Sequence, residues 1–354
     1  MVIHYFTFVA REVREHLARL GYRSLDEVIG RTDLLQAVPL AEYPKAYALD
    51  LKRLLADPDP SRTRPRKRVQ PRNDRPGDVP LDNRILKDAA PSLKAGTPVQ
   101  LAYRIRNENR TVGARVAGAI ALKHGDKGLP ENTISIQFDG TAGQSFGAFL
   151  ANGMRLVLRG EANDYVGKGM TGGEIVIVAP EHAAFVPSEN VIIGNTVLYG
   201  ATGGQLFVAG RAGERFAVRN SGAIAVVEGV GNHGCEYMTG GIVVILGETG
   251  VNFGAGMSGG IAYVLDEAGE FSKRFNPELV QIERVKDAED AEMLKSLLTK
   301  HHVLTGSKRA AEILDGWQRC QPKFWKVFSN VPVAKTRPSD VLRRDLMPVA
   351  ERKA

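Results

Sequence analysis

Apolar residues recur over the first twenty positions at three- and four-residue steps: Phe6, Val9, Val13, Leu17 and Leu20. That spacing predicts an amphipathic helix. Ser24 and Glu27 stand at capping-box spacing before a short apolar turn that stops at Gly30, and residues 46 to 55 fit a further short helix. The pattern then changes. Glycine, or a small equivalent, precedes short apolar runs at Gly113, Thr133, Gly153, Gly173, Gly204, Gly222, Gly241 and Gly260, at intervals of 20, 20, 20, 31, 18, 19 and 19 residues. A period of short strands without helical stretches marks a β-solenoid, in which each coil buries its inner side chains against its neighbours.

Alternation from each glycine assigns the faces. Positions +1, +3 and +5 give Met154/Leu156/Leu158, Ala223/Ala225/Val227, Ile242/Val244/Leu246 and Ile261/Tyr263/Leu265, the expected interior. Positions +2 and +4 are Arg115/Ala117, Ser135/Gln137 and Arg155/Val157 early, then Ile175/Ile177, Leu206/Val208, Ile224/Val226, Val243/Ile245 and Ala262/Val264. A strand apolar on both faces is covered on both sides. The later coils are therefore expected to be capped by the C-terminal helices or by a partner domain. The drifting interval argues against a left-handed hexapeptide helix. The expected fold is mainly β, a right-handed parallel β-helix with N-terminal and C-terminal helical segments.

After Phe271 the period returns to helical. Met293, Leu294, Leu297, Leu298 and His301 share a face, Gly306 stops the helix, and Ser307 caps the next one. The expected divisions are a helical lead-in over 1–56, a basic Pro-rich linker over 57–80 and the β-helix over 81–270. A helical segment over 271–328 and a tail over 329–354 follow.

Length and composition, 354 residues with 43% hydrophobic and 25% charged, fit a chain of about two domains with a real core. No run approaches the roughly 18 apolar residues of a membrane span, and the N-terminus lacks the features of a signal peptide. Cys235 and Cys320 are too few and too far apart for a disulfide framework or a metal knuckle, so a reducing cytoplasm is expected. The net charge of +7 is local: residues 61–75 carry seven Arg/Lys against one acid. That run has no interleaved aromatics for base stacking, so it reads as linker and not as a nucleic-acid surface.

Three candidate chemistries follow. "GNHGCEYMTGG" over 231–241 gathers His233, Cys235 and Glu236, as a thiolate–base pair or metal ligands would require. No second His/Cys cluster completes a site, and the ending Thr-Gly-Gly places the string in the repeat, so a coil corner is expected there. "GKGMTGG" and "GAGMSGG" imitate phosphate loops, but each runs into a strand, without a helix or a Gly-Lys-Ser/Thr. Position +6 reads Asp139, Arg159, Ala179, Gly210, Glu228, Gly247 and Asp266, with no adjacent acid pair of the kind that serves glycoside chemistry.

"GKGMTGG", "GNTVLYGATGG", "GVGNHGCEYMTGG" and "NFGAGMSGG" together resemble the glycine-rich C-terminal β-helix domain of the glutamate synthase large subunit. The flanks agree. "FTFVAREVREHLARLGYRSLDEVIGRTDLL" is similar to the end of that protein's synthase region, and "LLTKHHVLTGSKRAAEILDGW" to its C-terminal helical segment. The tail from Ser329 departs from the pattern. The resemblance implies an enzyme that moves the amide nitrogen of glutamine onto 2-oxoglutarate with NADPH, FAD, FMN and iron–sulfur clusters. It also implies that the nucleophilic N-terminal cysteine, the FMN and the three-iron cluster belong to regions absent here. No catalytic, cofactor-binding or metal residue is therefore expected in this chain. The expected role is a non-catalytic scaffold bracing the glutaminase and FMN synthase domains, with the small FAD/NADPH subunit as a further partner. Two alternatives stand: an enzyme using the His233/Cys235/Glu236 turn, and a subunit like the β-helix one of formylmethanofuran dehydrogenase.

Overall fold

The computed structural model describes residues 1–38, 50–57, 59–72, 79–181 and 183–330. Residues 39–49 of the expected lead-in, with 46–49 of its short helix, 58 and 73–78 of the expected linker and 331–354 of the expected tail lie outside them. The chain divides into two compact units, residues 1–78 and residues 79 onward.

In the first unit helix α1 spans Val2–Arg19, with Leu17 its one buried residue. Ser24 Oγ donates to Glu27 at 3.4 Å and the Arg23 N–H donates to the same carboxylate at 3.3 Å, so the capping pair closes a short turn over Leu25–Glu27. Helix α2 is the single turn Lys52–Leu55. Arg66 donates to the Gly30 carbonyl at 2.7 Å and to Asp57 at 2.6 Å, which ties part of the basic segment into this unit.

The second unit opens with helices α3 (Leu81–Asp88) and α4 (Ala90–Ala95). Strand β1 (Val99–Ile105) and helix α5 (Ala114–His124) follow. Next come β2 (Ile134–Ala142), β3 (Met154–Ala162), β4 (Thr171–Val178), β5 (Val191–Ile193) and β6 (Gly203–Ala209). Then come β7 (Arg211–Ala212), β8 (Ser221–Val227), β9 (Thr239–Ile245), β10 (Gly259–Leu265) and β11 (Val280–Arg284). Helices α6 (Ala288–Thr305), α7 (Lys308–Asp315) and α8 (Trp317–Cys320) precede β12 (Phe324–Ser329).

Among the described residues the strands form one twelve-stranded mixed sheet of order β1-β2-β3-β4-β6-β8-β9-β10-β12-β11, with the short β5 and β7 beside it. This overturns the expected right-handed parallel β-helix. The period is present, but most repeats place one long strand in the sheet. The rest of the repeat is a corner, or the helix α5, where a β-helix needs further long strands. The antiparallel strands β12 and β11 then finish one edge.

A second correction concerns Gly113, expected to begin a strand. It precedes helix α5, whose Val116, Ala117 and Ile120 are buried. The first strand of the repeat is instead β1, paired with β2 from Val99↔Ile134. Gly113 offers no side chain to cap the helix, and Asp82 of α3 does so. Its buried carboxylate accepts the N–H groups of Gly113 and Arg115, each at 2.8 Å. Burial pushes the Asp82 pKa up while these two N–H groups pull it down. Replacing Asp82 by Ala leaves two helix-end donors unmet, at an expected cost of about 2 kcal/mol in denaturant unfolding. Asp82→Asn, which keeps one acceptor, should lose about half as much.

The third correction concerns the faces. The register runs Leu156↔Ile175↔Leu206↔Ala225↔Val243↔Ala262, and all six belong to the inner core. Ile242/Val244/Leu246 and Ile261/Tyr263/Leu265 therefore point outward, while Ile175/Ile177 and Leu206/Val208 point inward. The cause is local. Register shifts between Thr171 and Glu174, Ser221 and Ile224, and Gly259 and Ile261 fall in or beside the doubled glycines. A one-residue slip exchanges the two faces of a strand.

The expected lateral covering is present. Met293, Leu294, Leu297 and Leu298 of α6 and Ala310 and Ile313 of α7 pack with Phe207, Ile224, Val226 and Val244 in an outer core. Asp287 and Ser307 cap α6 and α7 through their side chains. His301 is fully buried there, stacked on Phe207 with ring centroids 6.2 Å apart and with Nε2 3.6 Å from Glu228. Among the described residues no helix is long and apolar enough to cross a membrane.

Candidate functional site

His233, Cys235 and Glu236 lie in one of six stacked corners. In each corner three alternate residues have positive φ: 145/147/149, 165/167/169, 196/198/200, 215/217/219, 233/235/237 and 252/254/256. The φ values lie between 54° and 73°, and twelve of these eighteen positions carry a side chain. A left-handed conformation costs an L-residue about 1–2 kcal/mol, so something must offset it.

Interlayer hydrogen bonds do so. The first residue of a corner donates its N–H to the next layer: Tyr165 to Asn195 O at 2.9 Å, Arg215 to Asn232 O at 2.8 Å and His233 to Val251 O at 2.9 Å. The middle residue donates back: Leu198 to Val166 O at 2.8 Å, Ala217 to Val197 O at 2.9 Å and Cys235 to Phe216 O at 2.8 Å. Alternating helical hands turn successive peptide groups in opposite directions, so the corners stack as a ladder. Side-chain oxygens add to it. Asn195 accepts from the Glu214 N–H at 2.7 Å, and Asn232 from the Val251 N–H at 2.8 Å.

The ladder decides what the 231–241 string can do. Cys235 occupies the middle column with Gly147, Gly167, Leu198, Ala217 and Gly254, all buried. Its thiol is wholly enclosed in the inner core, and burial pushes its pKa well above the usual thiol range. A catalytic thiol needs the reverse, a stabilised thiolate that is exposed to substrate. His233 and Glu236 are engaged elsewhere. Glu236 lies 3.0 Å from Arg215 and 3.6 Å from His233 Nδ1, and the Asn252 amide donates to that Nδ1 at 3.0 Å. Asn252 Oδ1 accepts from Asn276 at 2.8 Å, which sets its amide orientation.

"GKGMTGG" and "GAGMSGG" are two more corners leading into β4 and β10. Three of their glycine N–H groups are already taken: Gly167 by Phe146 O, Gly169 by Tyr199 O and Gly254 by Gly234 O. No anion cradle is left at those groups. The donor set for an iron–sulfur cluster does not fit either. Cys235 is in the inner core and Cys320 in the outer one, and among the described residues no group of three His, Cys, Asp or Glu could hold a metal. Sequence reasoning missed the alternation of hands, whose visible trace was the alternate glycines of "GKG" and "GAG".

Alternate glycines on stacked corners are a recognisable signature. A profile described as the GXGXG motif matches residues 82–330. The chain belongs to the GXGXG family. Among its curated relatives are the ferredoxin-dependent glutamate synthase 2 of Synechocystis sp., 52% identical over 327 residues, and the glutamate synthase [NADPH] large chain of Bacillus subtilis, 46% identical over 330 residues. Each alignment covers 92% of this chain and 21% of the relative. The glutamate synthase [NADPH] large chain of Azospirillum brasilense is 49% identical over 349 residues, which is 98% of this chain and 22% of that protein. This GXGXG chain thus spans about a fifth of the length of the relatives it matches. The resemblance read from the glycine strings is borne out by relatives that are glutamate synthases.

Proposed function

We propose that the chain is a structural domain of glutamate synthase. It would brace a glutaminase domain and an FMN synthase domain while glutamine, 2-oxoglutarate and NADPH are converted to two glutamates. In this reading the helical lead-in over 1–56 belongs to the end of the synthase region, and residues 57–80 link it to the glycine-rich region. The FMN, iron–sulfur, FAD and NADPH chemistry is supplied by other domains and by a small subunit, in the cytoplasm. The observation that carries this reading is the place of Cys235. It fills a core column that its neighbouring layers fill with Ala217 and Gly254, so the turn is a corner of the stack.

The test uses a complete glutamate synthase containing this chain. Cys235→Ala and His233→Ala should each keep glutamine-dependent glutamate formation within about twofold of the parent, a change in barrier below about 0.5 kcal/mol. A Cys235→Ala enzyme that folds normally but loses about a hundredfold in kcat would overturn the reading and reinstate the thiol as a nucleophile.

A further inference from the structure

The outer face of the sheet changes character partway across. Pairing lines up Gln100, Ser135, Arg155, Glu174 and Gln205 on β1, β2, β3, β4 and β6, and the next residue in the row is Ile224, in the outer core under the helices. Where the helix cover ends, a groove of about 540 Å³ opens over the polar row, with Lys300 and Leu304 of α6 among its lining. Parallel sheets are seldom left open to solvent on one face, so a polar groove at this edge calls for an occupant.

Its charges are unevenly used. Glu174 is largely buried between two cations, with Arg155 Nε at 2.8 Å and Lys300 Nζ at 3.0 Å. Lys300 also donates to Gln205 at 2.6 Å and lies 5.2 Å from the centre of the Phe207 ring. The floor therefore holds two positive charges against one negative. Arg155 engages Glu174 through Nε alone, and its two terminal nitrogens have no partner among the described residues. The Gln100 and Ser135 side chains, which also line the groove, likewise have no partner among those residues. A guanidinium presents its donors in a planar fork that matches a carboxylate, and Glu174 already fixes the orientation of this one. Such preorganisation lowers the entropy lost on binding.

We infer that this groove binds a small carboxylate. The terminal nitrogens of Arg155 take the two carboxylate oxygens, and Lys300 supplies the second positive charge. Gln100 and Ser135 receive a polar group at the ligand's other end, and the exposed Glu131 at the rim accepts from an N–H there. The site fits an amino-substituted aliphatic acid of a few carbons and disfavours the corresponding amide, which lacks the carboxylate. It is independent of the bracing role, and its test reads binding alone.

The experiment titrates the full 354-residue chain with 4-aminobutyrate and, separately, with 4-aminobutanamide. Ionic strength is held with sodium chloride, and backbone amide shifts are followed in nitrogen-15 spectra. Saturable shifts confined to residues near 100, 131–135, 152–155, 171–174, 204–205 and 300–304 are expected for the acid, with a Kd in the millimolar range, and none for the amide. Arg155→Met should weaken binding about tenfold or more, and Arg155→Lys should fall between, since it keeps the charge without the fork. If Arg155→Met does not fold, Lys300→Met gives the same reading, with a weakening of about threefold or more. Equal shifts from acid and amide, shifts that track sodium chloride, or undiminished binding in the variant that folds would each overturn the site.

Discussion

Gly160→Ala is expected to remove about 4 kcal/mol of stability, near the upper end for a single substitution. Ile105, Gly140 and Gly160 are paired in register across β1, β2 and β3. A methyl group on Gly140 would overlap the carbonyl oxygen of Ile105, and one on Gly160 would overlap that of Gly140. Both glycines have positive φ, 127° and 152°, so strain adds to the overlap. The obstructing atoms are backbone carbonyls of paired parallel strands, and they cannot retreat without straining interstrand hydrogen bonds. Gly118→Ala is the matching control. That residue lies inside α5 with nothing within 4 Å of the added carbon, so a gain of about 0.5–1 kcal/mol is expected there. Urea unfolding of both variants decides the matter. A parent-like midpoint for Gly160→Ala would show that the layers part locally, against the close stack described above.

What could be read beforehand follows from how local each signal is. Helix α6 was legible because a 3.6-residue period, an apolar face and the stop at Gly306 agree, and every expected face residue from Met293 to His301 is buried. The strand period was legible because each layer repeats the same glycine before the same apolar run. The faces were not. Alternation carries phase only while the strand is regular, and the irregularities near Thr171, Ser221 and Gly259 reset it without changing composition. Strand β12 was missed because "FWKVFS" is short and follows three helices closely, although pairing with β10 makes it part of the core. The corners were half legible: alternate glycines show at 167/169 and 254/256. At 233/235/237 the same conformation is imposed on His, Cys and Tyr by the layers on either side. Cys235 looked like chemistry because nothing local to it marks the column it fills.

The division between the two faces bears on the proposed role. Inner side chains are held by neighbouring strands, and the corners by a ladder of N–H donors that runs in both directions between layers. Displacing one layer would break bonds to two others, which suits a rigid brace better than a hinge. The outer face differs. Its apolar half is covered by α6, α7 and α8, and its polar half carries the Arg155–Glu174–Lys300 chain.

Asp290→Ala should be the most damaging change in the helical cover, at about 3 kcal/mol. One buried carboxylate joins three elements: it accepts from the Tyr263 hydroxyl of β10 at 2.6 Å and from Lys326 Nζ of β12 at 2.6 Å, while its own chain belongs to α6. Burial, reinforced by Asp290, pushes the Tyr263 pKa above the usual phenol range, so this hydroxyl stays a donor at any ordinary pH. Truncation leaves both the hydroxyl and a mostly buried ammonium without their acceptor, although Glu283 stands 3.8 Å from Lys326 and softens the loss. Removing the ammonium as well should recover part of the stability. The double variant Asp290→Ala/Lys326→Met is therefore expected to be more stable than the sum of the single changes by about 1 kcal/mol or more. The chain's two tryptophans, Trp317 and Trp325, flank this region, so urea unfolding followed by their fluorescence reads it directly. Single effects that add to within about 0.3 kcal/mol would show that Asp290 and Lys326 do not act together, and the three-way anchor would be discarded.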